Sequence, residues 1–215
     1  MESQSNIKIY KEKLLLVEGK DEINFFRSLL DHMQIREIQV EEIGGKDKFK
    51  IEFPTLLLIP GFENLKSISI VRDADTNAKS AFDSVVNVLK KNNQAAPDNI
   101  GTFRKKDGRK YGIFILPGGK SRGMLETLCL ELMADHPAMQ CVDDFFECLT
   151  LTFKNPQKHA GKIIKKPRNS DKSKMKAFLA SLEKDVPSLG VAACKGYINF
   201  ECPNLNDLKK FIAEI

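Results

Sequence analysis

No apolar run in the 215-residue sequence approaches the ~20 residues needed to span a bilayer, which excludes a transmembrane helix. Met1 to Tyr10 lacks the hydrophobic block of a signal peptide, so the expectation is a cytoplasmic protein with no membrane partner. Disulfide-framework spacing is missing too. The five cysteines (Cys129, Cys141, Cys148, Cys194, Cys202) are odd in number and include no C-x-x-C pair, and they read as small buried hydrophobes. Three isolated histidines, His32, His136 and His159, carry no metal-site spacing. Neither low-complexity tracts nor internal repeats occur. What remains is an ordinary globular composition, 42% apolar and 29% charged, in a chain long enough to bury a core. A net charge of +5 leans weakly toward a polyanionic partner, and its distribution says more. Lysine and arginine crowd Arg104 to Lys110 and Lys154 to Lys176, while acids gather after short apolar runs.

Two such runs organise the chain. Leu14-Leu15-Leu16-Val17 ends in Glu18-Gly19-Lys20-Asp21-Glu22, and Ile68-Ser69-Ile70-Val71 ends in Arg72-Asp73-Ala74-Asp75. Short apolar runs bounded by turn formers suit strands buried on both faces, and helical patterns follow both. In an open parallel sheet, ligands sit outside the carboxyl ends of the strands. Glu18, Asp73 and Asp75 fall at such ends and converge if the strands are neighbours. Two like charges ~4 Å apart repel by about 4 kcal/mol at an effective dielectric of 20. A cluster of three or four therefore needs a proton or a cation. With only oxygen donors on offer, the cation is hard, Mg²⁺ or Mn²⁺.

Between these runs the pattern alternates strand and helix. Asp21 to His32 places Ile23, Phe26, Leu29 and Leu30 on one helical face, with acids in the first turn. Ile38 to Ile43 reads as a strand stopped by Gly44-Gly45-Lys46, before a helix that Pro54 kinks or ends. Thr76 to Lys91 keeps helical spacing, and Asn92 to Asn99 reads as a loop. Asp107-Gly108 signals a hairpin turn between Thr102-Phe103 and the fourth core strand, Tyr111 to Leu116. Beyond Gly123 the spacing predicts helices over Met124 to Met133, Asp143 to Leu151, Ser173 to Leu182 and Leu205 to Ile212. Val191 to Phe200 reads as a short strand or extended segment, and Asn155 to Asn169 as a loop.

Val17-Glu18-Gly19-Lys20-Asp21-Glu22, Gly44-Gly45 and Asp73-Ala74-Asp75, each at a strand end and in this order, resemble a Toprim domain over about Lys13 to Glu131. This is the catalytic fold of topoisomerases, bacterial primases and nucleases of the overcoming-lysogenization-defect (OLD) kind. The resemblance implies an α/β, Rossmann-like, mostly parallel four-stranded sheet flanked by helices, with a mainly helical C-terminal extension. Residues 1–135 would form the core and residues 136–215 a helical elaboration packed on it as one compact unit. It further implies that Glu18 is a metal ligand or general acid/base and that Asp73 and Asp75 hold Mg²⁺. Similarity to the nuclease branch adds Glu22 and the Glu126 of Gly123-Met124-Leu125-Glu126 as ligands. It also adds a catalytic lysine from a Lys-x-x-Ala helix, best matched by Lys174 with Ala177, with Lys172 and Lys176 as alternatives. The ATPase domain of full OLD proteins is missing, as are the zinc and helicase-binding parts of primases, so the likeness is to small stand-alone Toprim proteins.

The resulting expectation is Mg²⁺- or Mn²⁺-dependent phosphodiester hydrolysis of nucleic acid, DNA ahead of RNA, with one or two ions. Lys46, Arg104, Lys105 and Lys106 are the candidate phosphate contacts. Tyr10, Tyr111 and Tyr197 lie away from the acidic motifs, which disfavours a tyrosine nucleophile. Two other readings stay open. Asp73-x-Asp75-x-Asn77 faintly resembles the nucleophile loop of haloacid-dehalogenase phosphatases, but leaves Glu18 unexplained. The chain could also bind nucleic acid without turnover, as a regulatory or phage-defence component, alone, as a homodimer or with a partner protein.

Overall fold

A computed structural model describes residues 7–155 and 157–215. Residues 1–6 of the Met1–Tyr10 reading and Pro156 of the Asn155–Asn169 reading lie outside the described residues. The first acidic motif does follow a strand. In β1 (Lys13–Val17), Leu14, Leu15, Leu16 and Val17 are all fully buried, because both faces of the sheet are covered. Alternate side chains go to opposite cores. Leu15 and Val17 enter a cluster with Phe25 and Phe26 of α1 (Lys20–His32). Leu14 and Leu16 enter one with Phe49 and Phe53 of α2 (Lys46–Leu56) and Phe82 and Val85 of α3 (Ala78–Lys91).

The strand order is β2-β1-β3-β5-β4, with β2 at Ile38–Glu42, β3 at Ser67–Asp73, β4 at Thr102–Lys106 and β5 at Arg109–Leu116. All pairings are parallel except β4 with β5. The sheet therefore has five strands, where the sequence predicts four. The added strand is the first arm of the hairpin at Asp107-Gly108, both of positive φ (50° and 78°) as a tight two-residue turn requires. From β1 the chain steps outward to β2, then returns to the other side of β1 as β3. Glu18 and Asp73 thus leave the sheet side by side, at the point where the winding reverses.

The C-terminal half is mainly helical: α4 (Leu125–Leu132), α5 (Ala138–Thr152), α6 (Ser170–Ala180), α7 (Leu189–Cys194) and α8 (Asn206–Ala213). Met139, Phe178, Ala192 and Phe211 from four of these helices share one buried cluster with Leu15 and Val17 of the sheet. The predicted loop over Asn155 to Asn169 contains a small hairpin, β6 (Gln157–His159) with β7 (Lys162–Ile164). The extended reading of Val191 to Phe200 is corrected as well, because helix α7 runs into it. Leu189, Ala192 and Ala193 are buried at helical spacing, and the Ser188 hydroxyl accepts from the Val191 N–H at 3.4 Å as an N-cap. Among the cysteines only Cys129 is buried. Cys141, Cys148 and Cys194 are exposed and Cys202 half-buried, so burial is corrected for those four. No described helix is long and apolar enough to cross a membrane.

Helix α7 lies against α1 through glycine. A Cβ on Gly190 would stand 2.8 Å from Asp21 Oδ1 and 2.9 Å from Asn24 Cβ. Asp21 Oδ1 meanwhile accepts from the Ser188 hydroxyl at 2.6 Å and the Gly190 N–H at 3.1 Å. Gly190→Val is expected to lower stability by about 1–3 kcal/mol, as forced overpacking does. Urea unfolding reads the loss, and an unchanged midpoint would show that the two helices are free to separate.

Candidate functional site

The site is built where β1 and β3 end. The Glu18 carboxylate turns back across that edge. Its Oε1 accepts from the Arg72 Nε–H and from the backbone N–H of Asp73 at 3.2 Å. The turn after β2 makes room for it, since a Cβ on Gly45 would stand 3.3 Å from Glu18 Oε2, and Gly44 needs its positive φ of 81°. Gly19 plays the same part for Glu22, whose Oε2 would lie 3.1 Å from an added Cβ. Asp73, only 9% exposed, accepts at Oδ1 from the Leu125 N–H at 3.0 Å, at the amino end of α4. Glu126 lies in that same first turn and Glu22 in the first turn of α1, so two helix starts present acids to one strand end.

Their proximity is electrostatic. Burial, then the charges of Glu18, Glu22 and Glu126, push the Asp73 carboxyl up from the ordinary aspartate range to about 8, against the pull of the Leu125 N–H. Glu22 is raised by burial and by Glu126, Glu18 and Asp21. Proximity stops short of a shared coordination sphere. Among the described residues, no three His, Cys, Asp or Glu side chains stand close enough together to hold an ion. Glu18 is drawn toward Arg72, and Asp75 departs altogether. Asp75 is exposed at positive φ (49°), bridges Gly123 through its backbone, and lines an open cleft beyond the acids.

The family profile described as "Protein of unknown function (DUF3226)" matches residues 12–215. The chain belongs to the DUF3226 family. Among solved structures it is similar to the C-terminal region of the Xanthomonas campestris pv. campestris OLD protein, at 16% identity and a TM-score of 0.47, over 96% of each chain. It is also similar to the C-terminal region of the Burkholderia pseudomallei OLD protein, at 14% identity and a TM-score of 0.47, over 96% of this chain and 99% of that one. No curated protein matches.

Around the acids of this DUF3226 chain, the basic residues fall differently from the sequence expectation. Lys174 pairs with Asp143 of α5 and lies over the Phe146 ring, away from Glu126. The lysine beside the acids is Lys172, 3.7 Å from Glu126. Arg104, Lys105 and Lys106 sit at the other end of the sheet. Lys106 pairs in register with Arg109 at the start of β5, whereas Asp73 pairs with Leu116 at its end. Eight strand residues separate these ends by roughly 20 Å. There Arg104 is held by Asp98 at 2.8 Å, and Lys106 donates to the Asn93 carbonyl at 2.7 Å. Lys46 opens α2, exposed, beside Gly45. Sequence reasoning missed Arg72, the buried counter-charge of Glu18, whose only signal was a cation near the end of a strand read as buried.

The raised Asp73 sets a pH dependence. The folded protein holds a proton at pH values where the unfolded chain has lost it, so stability falls as pH rises from about 4 to about 8. Asp73→Asn keeps an acceptor for Leu125 and removes the titration. In the absence of divalent metal, its melting temperature is expected to exceed that of wild type at pH 8 by several degrees, at ~2–4 °C per kcal/mol, and to converge with it near pH 4. Parallel curves across that range would contradict the assignment.

Proposed function

We propose that this protein hydrolyses phosphodiester bonds of nucleic acid with a divalent cation, Mg²⁺ or Mn²⁺, at the acids of the β1 and β3 ends. The observation that carries the reading is Asp73, a carboxyl pushed up to about 8 by burial first and then by the charges of Glu18, Glu22 and Glu126. Such crowding of oxygen donors, offset only by Arg72 at Glu18 and Lys172 at Glu126, fits a hard metal ion by charge and by donor type. Asp73 together with Glu22 or Glu126 would hold it after these side chains close on it, with Glu18 beside them and Asp75 on the rim toward the cleft. One ion or two can be served by this set. A bound cation would supply Lewis acidity toward a phosphoryl oxygen and acidify a water.

The chain's own groups supply the rest. Glu18, fixed by Arg72 and the Asp73 N–H, is poised to accept a proton from an attacking water. Lys172, beside Glu126, offsets negative charge building on the phosphate, a role its position favours over that of Lys174. The motif resemblance to Toprim nucleases supports the same assignment. Two observations favour a second reading, nucleic-acid binding without turnover: Glu18 is already paired with Arg72, and among the described residues no three acids are gathered on one point.

Labelled DNA and RNA incubated with Mg²⁺ or Mn²⁺ separate the two readings. Wild type is expected to cleave, Glu18→Ala and Asp73→Ala to lose about a hundredfold or more, and Lys172→Met to lose more than Lys174→Met. Undiminished cleavage by both acid variants would remove the reaction from this site. A wild type that binds but never cleaves would establish the second reading.

A further inference from the structure

Asp75 opens onto a cleft of about 740 Å³ between the start of α4 and the segment leading into α6, and the cleft is basic. Lys120, Arg122 and Arg168 line it together with Asn169 and Ser170. Lys120 is paired with Glu131. The cleft's second acid, Asp171, is occupied by hydroxyls, accepting from Thr127 at 2.6 Å and Ser170 at 3.2 Å. Arg122 and Arg168 have no hydrogen bond or ion pair among the described residues. Two unpaired guanidinium groups thus line one polar cleft that adjoins the carboxylates, and guanidinium groups suit phosphate oxygens.

Lys120 and Ser121 are shared with a second recess, of about 830 Å³. Phe114, Ile115, Phe211 and the 38% exposed Ile100 form its apolar part, and Lys79, Lys210, Asp207 and Glu214 line the rest. Gly118 and Gly119, at φ 95° and 64°, carry the chain past this recess without side chains, and nothing lies within 4 Å of a Cβ added to Gly119. A polar, cationic cleft thus adjoins a recess that is apolar on one side, across Lys120 and Ser121. The two surfaces match the two chemistries of a nucleotide, phosphate and base. A base held in a duplex cannot enter a recess lateral to its own phosphates without leaving the stack.

We propose that Arg122 and Arg168 grip the backbone of a single-stranded nucleic acid, with Lys120 at the turn and an unstacked base in the Ile100 recess. The strand then passes Asp75 toward the acids. The inference rests on the phosphodiesterase reading only for what happens there, and its test reads binding alone. Fluorescence anisotropy is measured with a 5′-fluorescein 12-nucleotide DNA, the same sequence as RNA, and the DNA duplex, with Ca²⁺ in place of Mg²⁺.

The single strands are expected to bind at least about tenfold tighter than the duplex. Arg122→Ala/Arg168→Ala should lower that affinity about tenfold or more and flatten the salt dependence by about 1.4, from two lost contacts at ~0.7 each. Arg104→Ala/Lys105→Ala, at the other end of the sheet, should leave it unchanged. Ile100→Asp should narrow the margin between single strand and duplex. The proposal is overturned by equal binding of duplex and single strands, by an unaltered double-arginine variant of wild-type melting temperature, or by an equal loss in the Arg104/Lys105 control. Strand binding at the cleft with no cleavage under Mg²⁺ would refute hydrolysis and leave this inference standing.

Discussion

Arg72 and Glu18 meet where two adjacent parallel strands end, and the charge arrangement of the site follows from that meeting. The guanidinium is 5% exposed and keeps one nitrogen, Nη1, without a hydrogen-bond partner among the described residues, so its burial is costly. In return it fixes the one carboxylate that also receives the Asp73 N–H. With Glu18 tied to Arg72, Asp73, Glu22 and Glu126 are left with no buried cation of their own. Lys172 reaches only Glu126, from a half-exposed position. Asp73 answers by holding its proton to about 8. On the proposed reading, a divalent cation would be a second way to meet the same deficit, and the one that carries chemistry.

Topology makes this deficit unavoidable. Reversal of the winding between β1 and β3 sets two acidic strand ends side by side, and the amino ends of α1 and α4 bring further acids to the same edge. Helix dipoles favour those acids individually. Collectively they repel. The cations that could have compensated them were placed elsewhere: Lys174 against α5, Arg104 to Lys106 at the far end of the sheet, Arg122 and Arg168 in the adjoining cleft. Separation of the two signs, acids at the strand ends and guanidinium groups beside them, distinguishes this edge from a surface of mutually satisfied ion pairs.

The strand ends were legible because buried parallel strands read as unbroken apolar runs, and the acids after them had no other explanation in common. The fifth strand was harder to read. Thr102 to Lys106 is a mostly exposed edge strand carrying Arg104, Lys105 and Lys106, and charges that guard an edge look in sequence like a binding patch. Being part of a hairpin, it folds back to the amino ends of its neighbours. The lysine choice turned on helix geometry. Lys172 and Lys174 are two residues apart, about 200° around the helix, so facing Glu126 with one excludes the other. Arg122 and Arg168, far apart in sequence, share a cleft only after α4 and α6 have packed.

On the proposed reading, the acids of the β1 and β3 ends form one site that a divalent ion neutralises. Anomalous scattering from a Mn²⁺-soaked crystal tests it most directly. The expected result is a peak bound by Asp73 together with Glu22 or Glu126, with or without displacement of Glu18 from Arg72. Mn²⁺ found only elsewhere on the molecule, with the Arg72–Glu18 pair and the Asp73–Leu125 hydrogen bond unchanged at saturating metal, would contradict it.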